Sequence, residues 1–129
     1  MTPPTADVRA RIEQLSSAYC HRFDDGDAEE WAALFTDDAT LQIGRAVVDG
    51  RAAVLEWGIS AMNPGSSRHF VTNLEIDITD DDASVTSDFV VLDSSLSPKA
   101  AGRYHDRVAC CADGSWRFLH RRITFLRPV

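Results

Sequence analysis

The sequence predicts a single α+β domain, a cone in which three N-terminal helices pack on one face of a curved antiparallel sheet. Three observations lead to this prediction. Apolar residues in the first part of the chain recur every three or four positions, residues after 66 alternate between apolar and polar, and an Asp-Gly pair at 113–114 marks a hairpin. The 129 residues suit one domain, 1–129, and a hydrophobic content of 44% is enough to build its core.

The first helix is predicted over residues 5–23, because its apolar side chains fall on one face and Asp24-Asp25-Gly26 then breaks the pattern. Asp27, followed three residues later by Glu30, resembles a capping box and predicts a short second helix. The apolar residues of this second helix are Trp31, Leu34 and Phe35.

Two short strands and a third helix come next. After a turn at Asp37-Asp38, strands are predicted at Ala39–Ile43 and Ala46–Val48. The third helix is predicted from Arg51 to Met62, since Asn63-Pro64-Gly65 ends the segment.

Four long antiparallel strands complete the chain, with a loop at 93–101. They are predicted at Arg68–Ile78, Ser84–Leu92, Gly102–Cys111 and Ser115–Leu126. In the first of them, alternation predicts one face of Phe70, Thr72, Leu74, Ile76 and Ile78, and an opposite face of His69, Val71, Asn73, Glu75 and Asp77. In the last, it groups Arg121 with Leu119, Ile123 and Phe125, and groups His120 and Arg122 with Trp116 and Phe118. A bulge would exchange these two faces.

Composition excludes several classes of protein. The net charge of −7 argues against a nucleic-acid partner, and no apolar run approaches the roughly 18 residues of a membrane span. Three cysteines without a CxxC pair predict free thiols, and the first five residues have no signal-peptide pattern. We therefore expect a cytoplasmic protein. No spacing of its four histidines predicts a metal site, and no glycine-rich motif predicts a nucleotide cofactor.

Charge is distributed unevenly along the chain. Residues 1–98 hold 18 acidic and 6 basic residues, whereas residues 99–129 hold 2 acidic and 7 basic ones. Two interpretations stay open: the basic C-terminal hairpin packs beside acidic segments, or some of its arginines face a cavity and an anionic group.

Six segments resemble the SnoaL-like branch of the nuclear transport factor 2-like superfamily. They are 19–24 (YCHRFD), 31–40 (WAALFTDDAT), 50–51 (GR) at the start of a helix, 68–74 (RHFVTNL), 102–107 (GRYHDR) and 113–118 (DGSWRF). Together they extend over about residues 6–126. The resemblance implies a cone-shaped α+β fold with a deep, mostly apolar pocket, often in homodimers or homotrimers. We expect a protein that uses no cofactor. Its known members include isomerases, dehydratases, cyclases and non-catalytic proteins.

Asp24 and His69 match the positions of the catalytic Asp and His in scytalone dehydratase and a dehydrochlorinase of this superfamily. The resemblance therefore implies that His69 acts as a general base and that Asp24 orients its ring. Imidazole suits proton transfer at neutral pH, and a carboxylate on one ring nitrogen fixes the tautomer.

Further site residues are expected around this pair. Tyr19 is expected to donate a hydrogen bond to a substrate oxygen, as a tyrosine does in related isomerases and dehydratases, and Arg121 to hold a leaving group. Five residues are expected to contact the substrate: Asn73, His105, Arg103, Trp31 and Phe35.

The sequence differs from the related enzymes at two catalytic positions, and these differences restrict the reactions to expect. An apolar residue, Ile43, stands where ketosteroid isomerases have their base, and residues 70–104 lack the second pocket histidine of scytalone dehydratase. We therefore expect elimination or dehydration of a small lipophilic cyclic substrate, or otherwise its isomerisation or cyclisation. The alternative is a ligand-binding or assembly protein that keeps the fold without chemistry.

Overall fold

The computed structural model describes residues 5–127 and confirms the α+β prediction, with helices packed on a curved, unclosed sheet. Its elements are α1 (Thr5–Asp25), α2 (Ala28–Ala32), β1 (Phe35–Ile43), β2 (Ala46–Asp49), α3 (Arg51–Ala61), β3 (Ser67–Thr79), β4 (Asp82–Asp93), β5 (Pro98–Cys110) and β6 (Trp116–Phe125). Within the described range, no helix has the length and apolar character that a membrane crossing requires. Most of the N-terminal segment on which the signal-peptide prediction rests, residues 1–4, lies outside this range.

The six strands form one sheet in the order β2-β1-β6-β5-β4-β3. Neighbouring strands are antiparallel except β1 and β6, which run parallel. Helix α1 contacts β3 and β6, and α3 contacts β1 and β2, so the helices cover one side of the sheet. We call the side under the helices the inner face and the opposite side the outer face.

Aromatic side chains fill the space between α1, α2 and the inner face. Trp31 and Phe35 have no exposed surface, and Tyr19, Tyr104 and Phe118 are buried beside them. The ring of Tyr19 lies 5.6 Å from Trp31 and 5.7 Å from Phe118, in tilted and edge-on arrangements that aromatic pairs favour. The interior of the cone is therefore packed with side chains at this end.

The prediction for Phe35 was wrong in its secondary structure. Helix α2 ends at Ala32, and Phe35 begins β1, where it pairs with Phe118 of β6. Local sequence favoured a helix through this residue, but pairing with β6 buries the ring completely. A long-range strand contact thus overrides the local pattern.

A bulge in β3 corrects the predicted faces of this strand. The register with β4 shifts between Thr72 and Glu75, and Asn73 adopts a positive φ of 57°. His69 and Val71 lie on the inner face before the bulge, whereas Leu74, Ile76 and Ile78 lie there after it. Two predictions were therefore wrong: that His69 and Asn73 lie on the same face of β3, and that Phe70 and Leu74 do.

A second bulge lies in β6. Phe118 pairs with Val108 and His120 pairs with Arg107, so Leu119 is skipped. As a result Trp116 and Phe118 share the inner face with Arg121 and Ile123. The predicted grouping of Arg121 with Leu119, and of His120 with Trp116 and Phe118, was therefore wrong. The cause is a bulge, which exchanges the two faces of a strand.

Strand β5 begins at Pro98, earlier than predicted, so the loop after β4 is short. Asp93 closes it, because its Oδ1 accepts hydrogen bonds from the backbone N–H groups of Ser95 and Ser97 at 2.9 and 3.0 Å. This side-chain turn replaces the longer loop predicted at 93–101.

Candidate functional site

The end of α1 is held against the loop that precedes β3. Gly26 follows the helix with a φ of 78°, and a side chain added there would overlap the ring of Pro64. The backbone N–H of Gly65 also donates to the carbonyl oxygen of Asp24 at 3.4 Å. A glycine is required at this turn both for its backbone conformation and for the close approach of Pro64. The contact sets the position of Asp24 relative to the first residues of β3.

Asp24 is buried and bonds His69 through both carboxylate oxygens. Its Oδ1 lies 2.6 Å from Nδ1 of the imidazole, and its Oδ2 accepts the backbone N–H of His69 at 2.8 Å. An ionised carboxylate only accepts hydrogen bonds, so Nδ1 must carry a proton and the lone pair of the neutral ring lies on Nε2. The family resemblance singled out Asp24 and His69, and the structure places their side chains in contact. Their catalytic role stays a prediction.

The ring of His69 is 11% exposed and lies beside a cleft between α1 and β3. Phe23 meets it edge-on, with ring centroids 5.1 Å apart, and restricts its rotation. The cleft has a volume of about 330 Å³. Its other walls are formed by Glu13, Ser16, Ser17, Cys20, His21, Phe70, Val71 and Leu74. Nε2 of His69 forms no hydrogen bond with the described residues.

Arg121 lies behind this cleft, fully buried, as half of an ion pair with Asp106. Its Nε and Nη2 each donate to one oxygen of Asp106 at 2.8 Å, and neither side chain is exposed. The guanidinium stacks on the rings of Tyr19, Tyr104 and Phe118, with distances of 3.8 to 4.2 Å to the ring centres. Burial alone would lower the pKa of Arg121, but Asp106 outweighs it and holds that pKa above its usual value. Arg121 is thus permanently charged, and its Nη1 has no hydrogen-bond partner among the described residues.

Tyr19 is buried in the aromatic cluster rather than on the cleft wall. Burial raises the pKa of its hydroxyl to about 12, although Arg121 acts to lower it. Burial likewise raises the pKa of the neighbouring Cys20 thiol to about 11. Both groups are therefore neutral near pH 7. The charge of Arg121 lowers the pKa of the Cys20 thiol, and the charge of Asp24 raises it.

Three residues expected in the substrate pocket lie on the outer face instead. Arg103 donates through Nε to Asp88 at 2.8 Å, and Asn73 donates to the second oxygen of the same carboxylate at 2.9 Å. His105 follows Arg103 on this face, and partial burial, with Arg122 and Arg103 nearby, lowers its pKa. The sheet itself separates these residues from His69, which lies on its inner face. Among residues 5–127, no group of three or more histidine, cysteine or acidic side chains is arranged to hold a metal ion.

The buried ion pair gives a prediction for stability. Replacing Asp106→Asn leaves the guanidinium of Arg121 without its counter-charge, so we expect the free energy of unfolding to fall by about 3–5 kcal/mol. Asp7→Asn is the control, because it breaks an exposed pair with Arg11 that contributes at most about 1 kcal/mol. Urea unfolding measures both. Equal losses in the two variants would contradict the assignment of Arg121 and Asp106 as a buried pair.

The raised pKa of Tyr19 predicts a loss of stability in alkali. Between pH 10 and pH 11 the unfolded chain releases this proton while the folded chain keeps it, so the folded state is penalised by about 1.4 kcal/mol. Cys20 adds to the same trend from about pH 9. Urea unfolding at pH 8 and pH 11 should give a smaller difference for Tyr19→Phe than for the native chain. An identical pH dependence in the two proteins would show that this hydroxyl is not buried.

Comparisons with known proteins agree with this fold. A model of the SnoaL-like domain matches residues 4–122. No curated protein matches the sequence. A single-residue variant of Rv3472, a Mycobacterium tuberculosis protein of unknown function, is 29% identical with a TM-score of 0.88 over 97% of this chain and 80% of that one.

Two further solved structures are similar in fold to this chain. A Novosphingobium aromaticivorans protein, provisionally named a scytalone dehydratase, is 26% identical with a TM-score of 0.80, over 95% of this chain and 85% of that one. LinA is similar in fold, at 22% identity and a TM-score of 0.81, over 95% and 88% of the two chains. With a family model that extends over nearly its whole length, the chain belongs to the SnoaL-like domain family.

Proposed function

We propose that this protein is a cofactor-independent acid–base enzyme for a small, mostly apolar cyclic substrate. The favoured reaction is elimination or dehydration, and isomerisation or cyclisation is the next class. The observation that carries the proposal is the 2.6 Å contact between Asp24 Oδ1 and His69 Nδ1 beside a cleft. The family membership and the fold shared with a protein named as a dehydratase support the same class of chemistry.

In this proposal His69 is the general base. Its Nε2 takes a proton from the carbon beside the leaving group, the C–H electron pair becomes the new double bond, and the leaving group departs with its own bonding pair. When the leaving group is hydroxide, the imidazolium returns the proton and water is formed. Asp24 is a positioning residue, because it holds the ring in the tautomer with a free Nε2 and stabilises the imidazolium.

The cleft indicates which substrates to try. Its volume of about 330 Å³ is at the lower end for ligand sites and suits a single ring. Val71 and Leu74 of β3 offer it an apolar wall, while Ser16 and Ser17 of α1 offer hydroxyl groups opposite. A monocyclic alcohol or halide, apolar on one side and polar on the other, fits this division.

Arg121 and Tyr19 take a supporting part in the proposal. Neither forms the cleft wall, but the charge of Arg121 acts on Cys20, which does. Because Asp106 balances this charge and Arg121 is fully buried, Arg121 supports the site from behind and does not hold the leaving group itself. Asn73, Arg103 and His105 have no part in it, since they face away from the cleft, and Trp31 and Phe35 support the core.

A second candidate is a ligand-binding or assembly protein without chemistry. The observation in its favour is the filled interior, where Trp31 and Phe35 have no exposed surface. In that case Asp24 and His69 tie α1 to β3 and do nothing further. The two candidates differ in whether any bound molecule is converted.

The proposal is tested by assaying the native protein with a panel of monocyclic alcohols and halides. Turnover is measured as ultraviolet absorbance of the new double bond or as release of halide. For a converted compound, His69→Ala should lower kcat/KM by about 10²–10⁴-fold, since it removes the base. Asp24→Asn should also lower it, and the kcat–pH profile should change. Asp25→Asn is the matched control, because Asp25 is exposed at the same helix end, and should leave kcat/KM within about twofold.

Two outcomes would contradict the proposal. One is full activity in His69→Ala. The other is that compounds of the panel raise the melting temperature of the native protein but none is converted, which is the behaviour of the non-catalytic candidate.

A further inference from the structure

A second groove lies along α1, between this helix and the start of β6, and has a volume of about 400 Å³. Helix α1 lines it with five side chains that recur every three or four residues and therefore form one stripe along the helix. These residues are Arg11, Gln14, Leu15, Ala18 and Arg22. We call this feature the α1–β6 groove.

Much of the lining of the α1–β6 groove is apolar. Leu15 is buried, and Ala18 and Leu34 are half-buried. The indole of Trp116, at the start of β6, also lines the groove and is only 7% exposed. Its Nε1 has no hydrogen-bond partner among the described residues. A buried N–H group without an acceptor is unfavourable, so an occupant that brings an acceptor oxygen would stabilise this site.

The two arginines of the groove differ in their partners. Arg11 donates through Nε to Asp7 at 2.8 Å and through Nη1 to the carbonyl oxygen of Gly114 at 3.4 Å. Arg22 forms no ion pair with any residue in the range 5–127. One positive charge of the groove is therefore balanced, and the other is open to a ligand.

The sign of the charge in this groove is opposite to that of the whole chain. The net charge of the protein is −7, yet the lining of the groove contains two arginines and no acidic side chain. By contrast, Glu13 lines the cleft described above, and Asp88 lines the cavity on the outer face. Attraction of an anion is therefore stronger in the α1–β6 groove than the overall charge suggests.

The helix itself accounts for part of this arrangement. Arg22 lies in the last turn of α1, where a cation interacts favourably with the helix dipole. That interaction requires neither an apolar groove beside the arginine nor an indole N–H without an acceptor. The combination of these three features indicates a ligand with an anionic end and an apolar body.

We propose that the α1–β6 groove binds a small carboxylate with an apolar chain. Arg22 holds the carboxylate, and one carboxylate oxygen accepts the indole N–H of Trp116. The chain lies over Leu15 and Ala18. Charge-assisted hydrogen bonds from a guanidinium to a carboxylate are among the strong ones, and the groove volume falls in the range of small-molecule sites.

The length of the groove determines which probe to use. From Arg11 to Arg22 the stripe extends about 16 Å along the helix axis, at 1.5 Å per residue. An extended chain suits this length better than a compact ring, and one unbalanced arginine suits a single negative charge. Octanoate is therefore the probe, with octanol as the uncharged chain and acetate as the charge without a chain.

This inference does not rest on the proposed function, because the groove and the cleft lie on different sides of α1. Cys20 lines the cleft and Ala18 lines the groove. Two residues correspond to about 200° around a helix, so these side chains point in nearly opposite directions. A ligand in one of the two places does not occupy the other.

A nuclear magnetic resonance titration of the ¹⁵N-labelled full chain tests the proposal. The indole resonance of Trp116 is identified by its loss in Trp116→Phe. Octanoate should move this resonance downfield, because the N–H gains an acceptor. Octanol and acetate should each bind at least about 10-fold more weakly than octanoate, since each lacks one of the two interactions.

A pair of matched variants tests the role of Arg22. Arg22→Gln should weaken octanoate binding about 10-fold, because it removes the charge that holds the carboxylate. Arg45→Gln is the control, since it changes the net charge equally and Arg45 is exposed between β1 and β2, outside the groove. It should leave the affinity unchanged. Circular dichroism checks that both variants fold.

Four outcomes would overturn the inference. They are equal weakening in Arg22→Gln and Arg45→Gln, an indole resonance of Trp116 that octanoate does not move, binding of acetate or octanol as tight as that of octanoate, and loss of octanoate binding in His69→Ala. The last result would place the ligand in the cleft instead, and would leave the proposed function standing. If the inference is correct, His69→Ala binds octanoate as the native protein does.

Discussion

The carboxylate of Asp24 is the interaction on which the site depends. It bonds the imidazole and the backbone N–H of the same residue, His69, and so joins the last turn of α1 to the first residues of β3. A side chain that satisfies both groups at once leaves the ring one orientation and one tautomer. Phe23 restricts the ring from the side, and Gly26 and Pro64 hold the helix end in place. The arrangement is therefore built into the packing of two elements distant in sequence.

A second constraint acts deeper in the molecule. Arg121 and Asp106 are buried together, and aromatic rings enclose the guanidinium on the sides that Asp106 does not occupy. The enclosed pair and its aromatic neighbours fill this end of the cone, and the space beside His69 lies between α1 and β3. In place of the expected deep pocket, a smaller cleft lies beside His69, whose Nδ1 is bonded to Asp24.

Much of the fold could be predicted from local pattern, because helix and strand periodicities are properties of short segments. The errors occur where distant contacts decide. Phe35 joins β1 because β6 is available to pair with it, and the bulges at Asn73 and Leu119 depend on the neighbouring strands. Those bulges reassigned the faces and placed Asn73 away from His69. The family resemblance anticipated the contact of Asp24 with His69. The pairing of Arg121 with Asp106 could not be predicted, because it depends on the register between β5 and β6, which the local sequence pattern does not determine.

The tautomer of His69 tests the central claim most directly. Nuclear magnetic resonance of the protein with ¹⁵N-labelled histidine distinguishes protonated from unprotonated ring nitrogens in the neutral imidazole. We predict that Nδ1 of His69 carries the proton and that Nε2 does not, because both oxygens of Asp24 are acceptors. A neutral ring protonated on Nε2, or an equal mixture of the two tautomers, would contradict the account, since His69 would then have no fixed base to present to the cleft.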